Sequence, residues 1–185
     1  MAKEKGEYNV INTHTEHVGR FNIICDEVEK GEFTYPYSYV VIKNCAAVLC
    51  FYKGKILLLH QYRHALKTWE LEIPAGSIEP DDDPMMRAEE EVKEETGLNP
   101  GPLHYLGTYH LSSGSTTERV WLYWTELEEG AIHQNLEALE MIDLRTVTPN
   151  EFETLIVTNE FHQCMGVTAW YLYKSKANST PDASQ

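Results

Sequence analysis

The densest run of charge in the chain is also the segment that most restricts its fold and chemistry. Five glutamates fall within the seven residues from Glu89 to Glu95. The segment has the ends of an α-helix, because Asp83 is a good N-cap, Pro84 suits the first helical position and Gly97 suits the left-handed position after the last turn. Like charges four residues apart destabilise a helix by about 0.2–0.5 kcal/mol per pair. We therefore expect a cation here, with a hard divalent ion as the natural candidate and a solvated acidic surface helix as the alternative.

The apolar positions of this helix indicate which glutamates lie beside the core. Met85, Ala88 and Val92 recur at positions i, i+3 and i+7 and form one apolar stripe. At about 100° per residue, Glu91 and Glu95 lie one above the other at the edge of that stripe. The spacing therefore predicts half-buried carboxylates that are close enough to share an ion.

Residues 76–98 resemble the Nudix box, which reads G-x5-E-x7-R-E-U-x-E-E-x-G-U with U an aliphatic residue. The fixed positions that match are Gly76, Glu91, Val92, Glu94, Glu95, Gly97 and Leu98. Asp82 stands where the family has glutamate, which keeps the negative charge. Glu90 stands where the family has an arginine that orients the catalytic glutamates, so this change reverses the charge.

Arg87 offers a replacement for the arginine that Glu90 displaces. It lies one turn before Glu91, on the same flank of the helix as Glu94. We hypothesise that Arg87 pairs with these glutamates and takes over the orienting role. The hypothesis fails if Arg87→Ala leaves metal affinity and turnover unchanged.

Three further segments resemble the ADP-ribose pyrophosphatases and related nucleoside-diphosphate-sugar hydrolases of that family. Residues 69–76 contain an E-x-P-A-G sequence, and residues 60–63 contain the Q-Y-R that ends the preceding strand. Residues 113–118 resemble a loop that reads P-G-x-S-D-E in many ADP-ribose enzymes, but Ser113 stands in place of its proline. Since that proline is associated with ADP-ribose preference, ADP-hexoses and GDP-hexoses stay open as substrates beside ADP-ribose.

The resemblance covers roughly residues 40–175 and implies both a fold and an activity. The fold is α/β, a Nudix-type α/β/α sandwich around a mixed sheet with an N-terminal antiparallel β-meander. The activity is Mg²⁺-dependent hydrolysis of the pyrophosphate bond of a nucleoside diphosphate sugar, to a nucleoside monophosphate and a sugar phosphate. Two alternatives remain: a non-catalytic Nudix-fold module that binds nucleotides, and a pyrophosphohydrolase acting on RNA ends.

The resemblance also implies which residues hold the metal and carry the chemistry. A divalent ion, Mg²⁺ or alternatively Mn²⁺, neutralises the charge of the pyrophosphate, and Mg²⁺ prefers a few carboxylates to a complete protein cage. The implied ligands are the Ala75 carbonyl and the side chains of Glu91, Glu94 and Glu95. Glu94 is also assigned a catalytic role, together with a glutamate on the loop after the box. Glu140 matches that loop position better than Glu137.

Substrate contacts are expected from three residues outside the helix. Arg63 can bond to a phosphate or stack on a base, and Tyr37 can stack from the N-terminal sheet. Glu118 matches a fixed position of the loop at 113–118. Arg63 and Tyr37 can each equally be a structural surface residue.

The rest of the chain predicts strands before the box and a mixture of strands and helices after it. Predicted strands are 8–12, 18–27, 33–43, 46–52, 55–61, 103–111, 118–125 and 141–147, with turns at Lys30-Gly31 and Lys53-Gly54. Predicted helices, besides the acidic one, are 149–157 and 160–174. We divide the chain into a β-meander over 1–44, a hydrolase domain over 45–175 and a flexible tail over 176–185. In the resembling family such a meander is exchanged across a homodimer, so we expect a homodimer here.

Composition restricts the partners and the compartment. The formal net charge of −14 argues against a duplex nucleic-acid binder and against an anionic membrane surface. Neither a signal-peptide core nor a run of about 18 apolar residues is evident. The cysteines show no C-x-x-C pair and no zinc-ligand spacing; they are Cys25, Cys45, Cys50 and Cys164. We therefore expect a soluble cytoplasmic protein with reduced thiols.

Overall fold

The computed structural model describes residues 8–179, in which two β-sheets and three helices form. The first sheet is antiparallel and contains β1 (Asn9–Val18), β2 (Phe21–Lys30) and β3 (Phe33–Val41). The second sheet contains β4 (Cys45–Tyr52), β5 (Lys55–Arg63), β6 (Thr68–Glu72), β7 (Ala75–Ser77), β8 (His104–His110), β9 (Arg119–Glu126) and β10 (Ile142–Val147). The helices are α1 (Pro84–Thr96), α2 (Pro149–Val157) and α3 (Cys164–Ser179).

The second sheet is mixed and is buried on both faces. Its strand order is β10-β5-β4-β9-β8, with β6 paired to β5 and β7 paired to β4. The β4 strand runs antiparallel to β5 and parallel to β9. Its side chains alternate between two cores, so that Leu49 faces α2 and α3 whereas Val48 faces α1. Helices therefore cover both faces, and the expected α/β/α sandwich around a mixed sheet is confirmed.

Helix α1 has the ends and the buried face that its sequence predicts. The Asp83 side chain accepts hydrogen bonds from the N–H groups of Met85 (2.8 Å) and Met86 (3.1 Å), which caps the first turn. Gly97 has φ of 71° and ends the helix in the left-handed conformation. Ala88 on the predicted stripe is fully buried in the core between α1 and the sheet. These contacts fix which side of α1 carries its carboxylates toward the sheet.

The N-terminal sheet is the predicted antiparallel meander, but its first turn lies elsewhere. The prediction ended the first strand at residue 12, whereas β1 continues to Val18 and turns at Gly19, which has φ of 59°. The polar stretch 13–17 gives no apolar alternation, because every β1 residue is exposed. The turn expected at Lys30-Gly31 is present, and Gly31 has φ of 67°.

Differences from the predicted elements also occur around the acidic helix and in the C-terminal helix. Strands β6 and β7 were not predicted; they are short and are defined by pairing with β5 and β4.

Helix α3 begins at Cys164, not at residue 160, because the side chains of His162 and Gln163 bond to β6 and to Ile73. It continues to Ser179, so the tail expected from 176 does not begin there, and residues 180–185 lie outside the described residues. Within residues 8–179, none of the helices is long and apolar enough to span a bilayer.

Candidate active site

Helix α1 is joined to β7 through a buried carboxylate. The N–H of Ala75 donates to Glu95 Oε2 over 2.9 Å, and Glu95 is only 3% exposed. The same close approach depends on Gly76, since a Cβ there would lie 1.6 Å from Glu91 Oε1. The residues before the box therefore bring main chain directly against the two carboxylates that face the sheet.

Arg87 contacts the acidic flank of α1 at several points. Its Nη2 donates to Glu91 and lies 3.5 Å from Glu94 Oε2, while Nη1 donates to Glu90 Oε2 over 3.1 Å. Its Nε also donates to the carbonyl of Ser77 over 3.2 Å, which ties the guanidinium to the end of β7. The structure thus places Arg87 on the glutamates that the hypothesis named. Glu90 itself is one of the partners of this arginine.

Burial and mutual repulsion perturb the carboxylates beside the sheet. Burial raises the pKa of Glu91 to about 7, and the Arg87 charge opposes that shift only in part. Burial, reinforced by the Glu91 charge, holds the pKa of Glu95 well above its usual range. Neighbouring buried carboxylates favour their ionised forms only when a positive charge lies close to them. The donor set consists of oxygens only, so it fits a hard divalent ion such as Mg²⁺.

Arg63 is held at the end of β5 by a buried acid. Its Nε donates to Glu72 Oε1 over 2.6 Å, and its Nη2 donates to the second carboxylate oxygen. The hydrogen bond to Glu72 raises the pKa of Arg63, and the charges of Glu95 and Glu140 act in the same direction. The Gln163 side chain donates to Glu72 Oε2 over 3.0 Å and so supports the pair from the start of α3.

The loop between β9 and β10 brings Glu140 toward this cluster. Glu140 is half-buried, and its charge contributes to the raised pKa values of Glu91 and Glu95. It accepts a hydrogen bond from the N–H of Glu137 over 2.8 Å, while the Glu137 side chain is exposed. Of the two loop glutamates considered from the sequence, Glu140 is the one placed beside α1.

The same loop is anchored to the last turn of α1. The Asn135 N–H donates to the Glu94 carbonyl over 2.8 Å, and Gln134 Nε2 donates to the Glu95 carbonyl over 2.6 Å. These bonds use carbonyls that the end of a helix leaves without intrahelical partners. At Gly97 a Cβ would lie 2.3 Å from the main-chain nitrogen of His133, so the loop rests directly on the helix end.

The charges of several of these residues act on the thiol of Cys45, the first residue of β4. Burial raises the pKa of the Cys45 thiol to about 12, and the charges of Glu118, Glu91 and Glu95 add to the shift. Arg63 acts in the opposite direction on the same thiol. Glu118 is half-buried, and its own pKa is raised by burial. Glu118, predicted from the loop at 113–118, is therefore near enough to Cys45 for its charge to act on the same thiol as the charges of Glu91 and Glu95.

Tyr37, on β3, contacts the loop at 113–118 and does not lie among the carboxylates. It is 40% exposed, and its hydroxyl donates to the Gly114 carbonyl over 3.3 Å. The Val40 N–H donates to the Ser115 carbonyl over 2.9 Å, so β3 and the loop run side by side. The N-terminal sheet is therefore attached to the loop that carries Glu118.

Sequence reasoning missed several polar residues of this region. Glu72 stands in the quoted E-x-P-A-G segment, and an acid between apolar neighbours could have indicated a buried partner for Arg63. Gln61 is also buried, and its Oε1 has no hydrogen-bond partner within residues 8–179. The roles of Gln134 and Gln163 depend on contacts between distant segments, and no local pattern indicates them.

Comparison with known proteins agrees with this geometry. The NUDIX domain family model matches residues 43–165, and the chain belongs to that family. It is 33% identical over 100 residues to a methanol dehydrogenase activator of Bacillus methanolicus, with 54% of each chain covered. It is 30% identical over 114 residues to an ADP-ribose pyrophosphatase of Bacillus subtilis (strain 168), with 60% of each chain covered. The chain thus spans little more than half the length of these curated relatives.

A solved structure supports the fold over nearly the whole chain. The crystal structure of an ADP compounds hydrolase superposes with a TM-score of 0.83, covering 96% of this chain and 99% of that one. Sequence identity is 17%, so this similarity establishes the fold alone.

Proposed function

We propose that the protein hydrolyses the pyrophosphate bond of nucleoside diphosphate sugars in the presence of Mg²⁺, with Mn²⁺ as the alternative ion. ADP-ribose, ADP-hexoses and GDP-hexoses are the candidate substrates, and the products are a nucleoside monophosphate and a sugar phosphate. The observation that carries the proposal is the pair of buried carboxylates on α1, Glu91 and Glu95, with Arg87 bound to Glu91 and the charge of Glu140 acting on both. Similarity to an ADP-ribose pyrophosphatase supports the substrate class.

The oxygens of Glu91, Glu94, Glu95 and the Ala75 carbonyl would hold the ion. A bound divalent ion supplies charge neutralisation and polarises the phosphoryl oxygens. Arg87 reduces the electrostatic repulsion between Glu91 and Glu94 on its flank of α1, and its bond to Glu91 fixes the orientation of that carboxylate. Removing one carboxylate, or its partner Arg87, should therefore weaken the ion's affinity before it affects the fold.

Glu140 is proposed to accept the proton of the attacking water, and Glu94 to assist from the helix. A general base of this type contributes about 10²–10⁴-fold to the rate. Arg63 would bond to a phosphate oxygen of the substrate, since Glu72 fixes one edge of its guanidinium and its side chain is 41% exposed. Glu118 and Tyr37 are proposed to contact the substrate from the loop at 113–118.

We also propose that the protein is a homodimer that uses the N-terminal sheet. Both sides of that sheet carry exposed apolar side chains: Val10, Phe33 and Tyr35 lie on one face, and Val18 and Phe21 lie on the other. A three-stranded sheet with so little core of its own gains stability from a partner surface. The four cysteines are free, as expected for a protein of the reducing cytoplasm. Molar mass in solution, measured for the full chain and for a Phe33→Lys/Tyr35→Lys variant, tests the dimer.

The activity is tested with a panel of ADP-ribose, ADP-glucose, GDP-mannose and a 5′-triphosphate RNA, each with Mg²⁺, with Mn²⁺ and with chelator. We expect metal-dependent release of a nucleoside monophosphate from at least one of the nucleotide sugars, and release by Glu95→Gln that is slower by about 10²-fold or more. Tight binding of the panel without turnover would identify a nucleotide-binding module instead. Turnover restricted to 5′-triphosphate RNA would identify an RNA-end pyrophosphohydrolase.

A further inference from the structure

Strand pairing in the N-terminal sheet brings Cys25 of β2 beside two other potential metal ligands, His14 and Glu16 of β1. His14 and Cys25 are direct partners across the β1–β2 ladder, and Glu16 lies two residues along β1 on the same face. His14 Nε2 is 3.5 Å from Glu16 Oε1. One ligand atom from each of the three residues lies within 4.8 Å of the other two.

We propose that His14, Glu16 and Cys25 form a binding site for a borderline-soft divalent metal ion, with Zn²⁺ as the best match. Thiolate, imidazole and carboxylate are the ligand types that Zn²⁺ takes from proteins. This set contrasts with the oxygen-only cluster on α1, because a thiolate selects against Mg²⁺. The site is on the other sheet of the molecule and does not depend on the proposed hydrolase activity.

The geometry requires only small movements of exposed side chains. Ligand atoms around one tetrahedral Zn²⁺ are roughly 3.4 Å apart, given Zn–N and Zn–S bonds of about 2.0–2.3 Å. His14 Nε2 and Glu16 Oε1 are already 3.5 Å apart, and no pair of ligand atoms within the 4.8 Å limit has to close by more than about 1.4 Å. His14 and Glu16 have side chains that are 60% and 61% exposed, so rotation about their side-chain bonds is unobstructed by packing. Cys25 is half-buried on the neighbouring strand and supplies the fixed point.

The surface around the three residues is concave and offers further oxygen donors. A cavity of about 320 Å³ lies over this part of the sheet and is lined by His14 and Cys25 together with Asn12, Glu27 and Ser38. Glu27 lies two residues from Cys25 on the same face of β2. Its carboxylate or water is available for the remaining coordination position.

A metal ion at this point would strengthen the part of the fold that has the least core. All of β1 is exposed, and the described part of β2 contributes a single fully buried apolar side chain, Val28. An ion held by two residues of β1 and one of β2 would tie the strands together, because it binds the paired state and not the separated one. We therefore infer that the ion acts as a structural cross-link between β1 and β2 and stabilises the N-terminal sheet.

Cobalt substitution tests the site, since Co²⁺ bound to a thiolate absorbs in the near-ultraviolet and Co²⁺ bound to carboxylates alone does not. The full-length protein, reduced with a phosphine and freed of metal, should develop this absorbance with one equivalent of Co²⁺ and lose it on addition of Zn²⁺. Cys25→Ser should abolish the absorbance. His14→Ala and Glu16→Gln should each weaken Zn²⁺ binding, measured by competition with a chromophoric chelator, by at least about 10-fold.

The chain provides matched controls. His17 is on the opposite face of β1, where it contacts Asn22, and Cys164 is an exposed thiol at the start of α3. His17→Ala and Cys164→Ser should leave the absorbance and the Zn²⁺ affinity unchanged. The proposal is overturned if wild type gives no thiolate absorbance, or if the absorbance survives Cys25→Ser. Zn²⁺ should also slow amide hydrogen exchange in β1 and β2 of wild type but not of Cys25→Ser, and equal exchange in the two proteins would rule out the cross-linking role.

Discussion

The main-chain N–H of Ala75 donates to the Glu95 carboxylate over 2.9 Å, so the strand before the box holds a side chain from the last turn of α1. The bond lowers the cost of a charge that burial and the Glu91 carboxylate disfavour. In Glu95→Gln the side-chain oxygen can still accept this hydrogen bond, while the charge needed by a metal ion is lost.

We therefore predict that Glu95→Gln lowers Mn²⁺ affinity and turnover by about 10²-fold or more without lowering the melting temperature of the metal-free protein. Titration calorimetry, nucleotide-sugar turnover and thermal unfolding in chelator measure the three quantities. Glu89→Gln, on the other side of α1, is the matched control and should change none of them by more than about 2-fold. Unaltered Mn²⁺ affinity in Glu95→Gln would exclude this carboxylate as a ligand.

Arg87 is predicted to replace the arginine that Glu90 displaces. Arg87→Ala removes the partner of Glu91 and Glu94 and should lower metal affinity and turnover by about 10–100-fold. The double variant Arg87→Ala/Glu90→Arg returns an arginine to the family's position and should recover most of that loss. Lys93→Ala removes a positive charge from the far side of α1 and serves as the control. Failure of the double variant to recover would show that Arg87 acts through its bond to the Ser77 carbonyl instead.

The raised pKa of Glu91 predicts how the stability of the metal-free protein depends on pH. The folded state binds the Glu91 proton more tightly than the unfolded state does, so the free energy of unfolding falls as pH rises from about 4.5 to about 7. The effect of Glu91 alone is on the order of 3 kcal/mol, at 1.36 kcal/mol per pKa unit. Urea unfolding at several pH values in chelator should show this decline, and Glu91→Gln should make it shallower, leaving the part due to the raised pKa of Glu95. Saturating Mg²⁺ should oppose the decline, and stability that rises over the same range would contradict the assignment.

The two loop glutamates are predicted to differ in their effect on catalysis. Glu140→Gln should lower turnover by about 10²-fold or more with little change in KM, because a general base acts in the chemical step. Glu137→Gln should stay within about 3-fold of wild type, since its side chain is exposed and only its main-chain N–H and C=O contact Glu140. If Glu137→Gln has the larger defect, the roles are reversed.

Gly76 is predicted to be essential for the position of Glu91. A Cβ at residue 76 would lie 1.6 Å from Glu91 Oε1 and 1.9 Å from its carboxyl carbon, so Gly76→Ala must displace that side chain. Turnover should fall by about 10-fold or more, while the melting temperature changes little because the displaced group is a side chain. Gly130→Ala has open space around its Cβ, lies outside the proposed substrate contacts and is the control. Wild-type turnover in Gly76→Ala would show that Glu91 has room to move without loss.

The parts of the fold that local sequence determines were predicted well. Helix α1 was predicted from its caps and its apolar stripe, and α2 from Pro149 to Val157 was predicted in full, because each carries its own start and stop signals. Strands β6 and β7 have too few residues to show a pattern and exist only through pairing with β5 and β4. The start of α3 was misplaced because His162 and Gln163 bond to distant segments, which a local pattern cannot show.

The contacts of the candidate site likewise fall into those that local sequence predicts and those that depend on the tertiary fold. The contacts of Arg87 with Glu91 and Glu94 follow from helical spacing, so the sequence was sufficient to anticipate them. The support of Arg63 by Glu72 depends on the register between β5 and β6, and the anchoring of the Glu140 loop depends on where that loop crosses α1. Both require the three-dimensional fold.

The anchoring of the β9–β10 loop on α1 also separates this loop into two mechanically independent stretches. Asn135 and Gln134 are bonded to the helix end, so only residues 136–141 are left to carry Glu140 in any opening movement. The stretch before the anchor includes Gly130, around which a side chain would meet open space. Because the anchor at Gln134 and Asn135 lies between Gly130 and Glu140, insertions or substitutions around Gly130 should leave the position of Glu140 unchanged. The outer part of the loop is thus available for inserting a label or a binding tag beside a site whose geometry it does not control.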